Sequence, residues 1–270
     1  MSSERKTVFT KENLDTYLKE VAKEYRKLCG KSMPAELILI GGAAFLANYG
    51  FREMTTDVDA IIRAASSMKD AANRVGDKFD LPNGWLNADF QRTDSYTAKL
   101  EEYAAYYKTF SNVLTVRTIS AEYLIAMKLR SGRQYKNDLS DVLGILAEHE
   151  KHGQPITMEQ IKQAVCDLYG SWIELPETSI QFIDRTMQDG SFSERYAEVL
   201  ANERESRDVL IEFQKDYPGI TNASNANDII QSLKERQKRP SVLERLKCYQ
   251  NESQDSVESK SVKNREDYER

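Results

Sequence analysis

The run ELILIGGAAFLANYGFREMTTDVDAII, Glu36 to Ile62, constrains this chain more than any other stretch. It sets an apolar segment, a glycine pair, a run of small residues and a second apolar segment in order, with no insertion. Glu36 to Ile40 reads as a buried strand, since a short apolar run bounded by glycines fits a strand better than a helix. Gly41 and Gly42 then end it in a turn that glycine tolerates most easily. Ala43 to Tyr49 reads as a short helix, closed by Gly50 in the left-handed position that often ends helices. The chain turns back through Phe51 and Arg52, and Asp57 to Arg63 reads as a second strand. Because side chains alternate faces along a strand, Asp57 and Asp59 point the same way while Val58 and Ala60 point into the protein.

Two hard oxygen donors on one face, with no His or Cys beside them, suit Mg²⁺ or Mn²⁺. A nucleoside triphosphate would complete such a site. Gly41 and Gly42 allow close backbone approach, and the helix after them aims free N–H groups at an anion, so they form a candidate phosphate cradle. Taken singly, a glycine pair also serves ordinary turns, and an Asp-x-Asp also serves as a solvated strand start. The specificity lies in the combination.

The run from Ile40 to Ala60 resembles the signature of the DNA polymerase beta-like nucleotidyltransferase superfamily. Together with SAEYLIAMKLRSGRQYKNDLSDVLGIL it is similar to bacterial, uncharacterised nucleotidyltransferase-like proteins allied to the AbiEii and MenT toxins, over about Glu36 to Leu146. The resemblance implies triphosphate binding at Gly41 and Gly42, with Thr56 as a further nucleotide contact, and metal binding at Asp57 and Asp59. It also implies an α+β fold, a small mixed sheet flanked by helices, followed by a helical C-terminal region. A tRNA end as acceptor and an antitoxin as partner are further expectations from the toxin branch.

That branch carries a lysine on a later helix and an acid beyond it. Lys128 fits, on a helix that Ser120 would cap, with Tyr123, Leu124, Met127 and Leu129 as its buried face. A lysine there would neutralise charge on transferred phosphates; an ordinary surface lysine on an amphipathic helix fits the same pattern. Arg133, Lys136, Asp138 and Asp141 cluster just beyond, and the two acids also suit a helix N-terminus. Complete two-metal transferases place a third carboxylate on a neighbouring strand. The obvious strand, Val113 to Thr118, reads VLTVRT and holds no acid; Asp89, Asp138 and Asp141 are the substitutes. A missing third acid keeps a second class open, a non-catalytic nucleotide- or partner-binding protein that retains the fold.

With 43 acids against 38 bases the formal charge is -5, so no global basic field holds nucleic acid. Lys128, Arg130, Arg133 and Lys136 are the local basic candidate for an RNA acceptor. Cys29, Cys166 and Cys248 are widely spaced and odd in number, which argues against a zinc or disulfide framework and for a cytoplasmic setting. No apolar run reaches membrane-spanning length. His149 and His152 beside Gly153 read as a helix end.

The domain reading is a nucleotidyltransferase-like domain over 1–150, a helical region over 151–249 and a disordered tail over 250–270, where apolar residues nearly vanish. Helices are expected from Thr10 to Leu28, Ser67 to Lys78 and Thr97 to Tyr107. Others start at the capping boxes Thr157 to Gln160 and Ser191 to Glu194, and one covers Asn225 to Lys238.

Overall fold

The structure is a computed structural model that describes residues 8–238. Helix α1 (Lys11–Cys29) leads to β1 (Ala35–Leu39), α2 (Gly41–Asn48), β2 (Val58–Arg63), α3 (Ser67–Phe79), β3 (Leu86–Asn87), β4 (Ala104–Phe110), β5 (Leu114–Ile119) and α4 (Ala121–Ser131). Helices α5 (Asp138–Lys151), α6 (Met158–Tyr169), α7 (Glu177–Asp189), α8 (Phe192–Asp216) and α9 (Ala226–Lys238) follow. The tail expected over 250–270, and Cys248, lie outside the described residues.

The strands form one mixed sheet in the order β3, β2, β1, β5, β4. β1 runs antiparallel to β2, with Leu39 opposite Ala60, and parallel to β5, with Leu39 opposite Thr118. Its residues Leu37, Ile38 and Leu39 are fully buried, as a central strand requires. The α+β class expected from the sequence is therefore the observed one. This order also relocates the third-acid question, because β5 neighbours β1 and β4 but not β2. The outer neighbour of β2 is β3, which runs parallel to it and pairs Asn87 with Asp59.

Three local readings differ from the structure. Thr97 to Tyr107 is not one helix: a 3-10 segment, Ala98–Tyr103, runs into β4. The helical spacing of its tyrosines gives way to a hairpin with β5, closed by Ser111 and Asn112, both at positive φ, the turn that matches strand twist. Helix α2 starts at the glycines themselves, and the left-handed residue is Gly41, at φ +54°, rather than Gly50. Gly50 instead gives its N–H to the Glu148 carboxylate at 3.2 Å. Helix α7 is not among the expected helices, although Pro176 before it, the helical spacing of Ile180, Ile183 and Met187, and Gly190 at its left-handed end mark it in the sequence.

Ser120 stands at the N-cap of α4 as read, but its hydroxyl donates to Tyr103 O at 3.0 Å instead of capping the helix, whereas the cap of α6 behaves as read. Thr157 and Gln160 exchange both capping hydrogen bonds at the start of α6, and Gly170 ends it in the left-handed conformation. α1 packs on α3, while α4 packs on α5 and α6. Contacts divide the chain into two compact units, with the division between Arg204 and Glu205, inside α8. No helix among the described residues is long and apolar enough to cross a membrane.

Candidate active site

Antiparallel pairing of β1 with β2 brings the end of one strand beside the start of the other. Ile40 N–H donates to the Asp59 carbonyl at 2.9 Å, so the glycine pair and the two aspartates share one end of the sheet. A Cβ on Gly41 would lie 3.7 Å from Asp59 Oδ2. Ile40, the N-cap of α2, offers no side-chain acceptor, which leaves the first N–H groups of that helix open to an anion. Val58 and Ala60 are buried while Asp57 is exposed and Asp59 half-buried, the alternation expected of the strand.

Asp59 carries the electrostatic signature of the pair. Burial, with Asp57 next, pushes its carboxyl up to about 6, while Lys136 and a hydrogen bond from Asn87 pull the other way. A positive charge between the two carboxylates would relieve both causes. Among the described residues no three His, Cys, Asp or Glu side chains come together as a ready metal cage. The donor set thus fits an ion that takes two carboxylates and fills its remaining positions with waters and phosphate oxygens, as Mg²⁺ does.

Gly42 is required by close packing. A Cβ there would overlap Thr55 Oγ1 and sit 2.7 Å from Thr55 Cβ. Thr55 cannot easily yield, because Phe9 N–H donates to its carbonyl at 2.7 Å and its own N–H donates to Phe9 O at 2.9 Å. Its hydroxyl also reaches Asp57 at 3.4 Å. Thr55 is buried and Thr56 exposed, so Thr55 is the threonine that braces the turn. Gly42→Ala is expected to cost about 1–3 kcal/mol by overpacking and to weaken nucleotide binding. Melting curves of Gly42→Ala, Thr55→Gly and the double variant check this, with a double-variant loss smaller than the sum of the singles.

Behind the turn lies a buried charged network built on the first turn of α5. Lys128 Nζ stands 2.8 Å from Asp138 Oδ1 and 2.8 Å from Asp141 Oδ2, and 5.2 Å from the Phe45 ring centroid. Lys128 is therefore largely buried rather than a flanking surface residue. Arg52 donates to both Asp141 oxygens at 2.6 and 2.8 Å, and Arg133 Nε donates to Asp138 at 2.8 Å. Burial alone would raise the Asp138 carboxyl, but Lys128 and Arg133 overcome it and hold the group well below the usual range. The loop bearing Arg52 is seated by Phe51, whose ring lies where any side chain at Gly144 of α5 would have to go.

Sequence reasoning missed Glu203. From α8 its carboxylate accepts from Leu139 N at 2.8 Å and Ser140 Oγ at 2.5 Å, capping α5 from a distant part of the chain. No local pattern signals such a contact. Burial, with smaller contributions from Asp141 and Asp138, pushes the group up to about 7. Its stabilising contribution is thus present below 4.5 and lost as the pH rises through about 7. Glu203→Gln keeps an acceptor for Leu139 and removes the charge; thermal melts should show a flatter stability profile across this window and a gain of about 1–2 kcal/mol at pH 8.

A family model described as a nucleotidyltransferase of unknown function (DUF6036) matches residues 16–164, more than half of the chain. The chain belongs to this family. The matched region spans the whole sheet, the glycine turn, both aspartates and the network on α5. No curated protein and no solved structure gives a match. The description of this family points to a nucleotide as the substrate class.

Of the other predicted residues, Asp89 is exposed and opens the 3-10 segment Asp89–Arg92 after β3, and its charge helps to raise Asp59. The basic run is not a continuous exposed patch. Arg130 faces Glu174 at 3.5 Å, and Lys128 and Arg133 turn toward Asp138.

Proposed function

We propose that this DUF6036 protein transfers a nucleoside monophosphate from a nucleoside triphosphate to an acceptor hydroxyl, with Mg²⁺ or Mn²⁺ as cofactor. The observation that carries this reading is the meeting of Gly41, Gly42, Asp57 and Asp59 at one sheet end, with an uncapped helix N-terminus beside a carboxylate pair that no ion pair among the described residues neutralises. Asp57 and Asp59 would hold the ion, which when bound neutralises phosphate charge as a Lewis acid. The α2 N-terminus seats the triphosphate. Arg52, Lys128 and Arg133 gather three cations about the first turn of α5 behind the turn, where their positive charge stabilises negative charge developing on the transferred group.

In this reaction the acceptor oxygen bonds to the α-phosphorus, the bond to the β-phosphate oxygen breaks, and pyrophosphate departs. Asp89 is the acid best placed to take the hydroxyl proton, because Asp138 and Asp141 are committed to Lys128, Arg52 and Arg133. The resemblance to AbiEii and MenT toxins supports an RNA acceptor, a tRNA end first, together with a cytoplasmic toxin-antitoxin setting and an antitoxin partner.

The lack of a third ligand beside Asp57 and Asp59 among the described residues favours a second reading, nucleotide or partner binding without transfer. One experiment separates them. Purified protein is incubated with Mg²⁺, each labelled nucleoside triphosphate in turn, and total bacterial RNA and protein, beside an Asp57→Ala/Asp59→Ala variant. Label on an acceptor with the intact protein alone supports transfer and identifies the acceptor class. Saturable nucleotide binding with no labelled acceptor supports the second reading and overturns the first.

A further inference from the structure

The cations around the site differ in what they are already doing. Arg52 is held by both oxygens of Asp141, Lys128 by Asp138 and Asp141, and Arg133 by Asp138. Each is at most partly exposed, and moving any of them toward a ligand would strip a buried carboxylate of its partner, which is costly. Lys136 is the exception. It is exposed, and makes no ion pair among the described residues.

Its position is set by the same network. Lys136 sits two residues before Asp138, in the loop between the left-handed Gly132 that ends α4 and the start of α5. Arg133 pins that loop to Asp138 through both its backbone N–H, at 3.2 Å, and its guanidinium. The same network reaches the glycine turn, since Arg52, held by Asp141, lies 3.4 Å from where a Cβ on Gly42 would stand, so the loop carrying Lys136 is tied to the cradle, and the lysine's charge acts on both Asp57 and Asp59. A mobile ammonium on a fixed loop beside a carboxylate pair and a glycine cradle is suited to meet phosphate oxygens as they arrive.

We propose that Lys136 is the residue that contacts the polyphosphate of the bound nucleotide directly, while Lys128 acts from behind the turn through its charge. This deepens the nucleotidyltransferase reading and rests on it. With no phosphate present, the ammonium balances part of the negative charge of Asp57 and Asp59. A metal ion held by Asp57 and Asp59 would take over that balance and leave the ammonium free for the phosphates.

The test uses the full chain and four probes: Mg²⁺ with ATP, with inorganic tripolyphosphate, with AMP, and with each remaining nucleoside triphosphate. Lys136→Ala should weaken triphosphate and tripolyphosphate binding by about tenfold or more, the size of one charged hydrogen bond, with no change in melting temperature. Its triphosphate binding should also depend less steeply on salt. Lys136→Arg should bind within a few-fold of the native protein. AMP binding should barely change, which a merely structural role for the loop would not produce. Equal triphosphate affinity in Lys136→Ala and native protein overturns the proposal and leaves the wider reading standing. A native protein that binds none of the triphosphates overturns the wider reading, and the proposal with it.

Discussion

Asp57→Asn is expected to abolish Mg²⁺-dependent nucleotide binding and to lower transfer by about three orders of magnitude, the rate equivalent of several kcal/mol of lost charge stabilisation. The companion Asp59→Asn separates binding from folding. Burial and Asp57 push Asp59 up to about 6 from 3.8, so the folded protein binds the proton more tightly than the unfolded chain does. Its contribution to stability is then full below 3.8 and is lost as the pH rises through about 6. Replacing this carboxylate with a neutral amide should raise stability at pH 8 by about 1–2 kcal/mol, the shift being discounted for the partial exposure of the group. Activity should fall in the same variant. Calorimetric melts with and without Mg²⁺-nucleotide check both halves: ligand raises the melting temperature of the native protein and leaves that of Asp57→Asn unmoved. A lower melting temperature for Asp59→Asn would mean that the carboxylate holds the fold rather than awaiting a cation.

The second large effect lies in the buried network. Asp138→Ala is expected to destabilise by about 3–5 kcal/mol, because Asp138 is fully buried and bridges Lys128 and Arg133. Without it, Lys128 and Arg52 share Asp141 alone, two like charges on one carboxylate. The melting temperature should drop by roughly 6–20 °C. Lys128→Met in the same background should cost less than the two single losses added together, since it removes the stranded cation. Strict additivity in that cycle would show that the two groups do not act as a pair. The acid limb offers an independent check. Asp138 is held below the usual range, so its contribution is present above 3.8 and declines only as the pH falls beneath that value.

How much of this was legible beforehand depends on the range of the forces involved. The strand, glycine turn and Asp-x-Asp are readable because each is a short-range pattern: two-residue alternation fixes the face of Asp57 and Asp59, and a glycine pair marks a tight turn. The caps at Thr10, Thr157 and Gly170 are local in the same sense. Thr97 to Tyr107 misleads because tyrosines at helical spacing also suit a strand, and only pairing with β5 chooses between the two. The brace at Thr55 escapes for a related reason, since two adjacent threonines look alike until Phe9, far off in sequence, hydrogen-bonds to one of them.

The sequence by itself determined the α+β class, the glycine turn and the shared face of the two carboxylates, because backbone sterics and side-chain alternation act within a few residues. Tertiary structure alone decided that β3 rather than β5 lies beside Asp59, that Glu203 caps α5 from sixty-odd residues away, and that Lys128 is largely buried while Lys136 is exposed. Those outcomes turn on which charges lose their water together. That is a property of packed elements, and no stretch of the chain carries it alone.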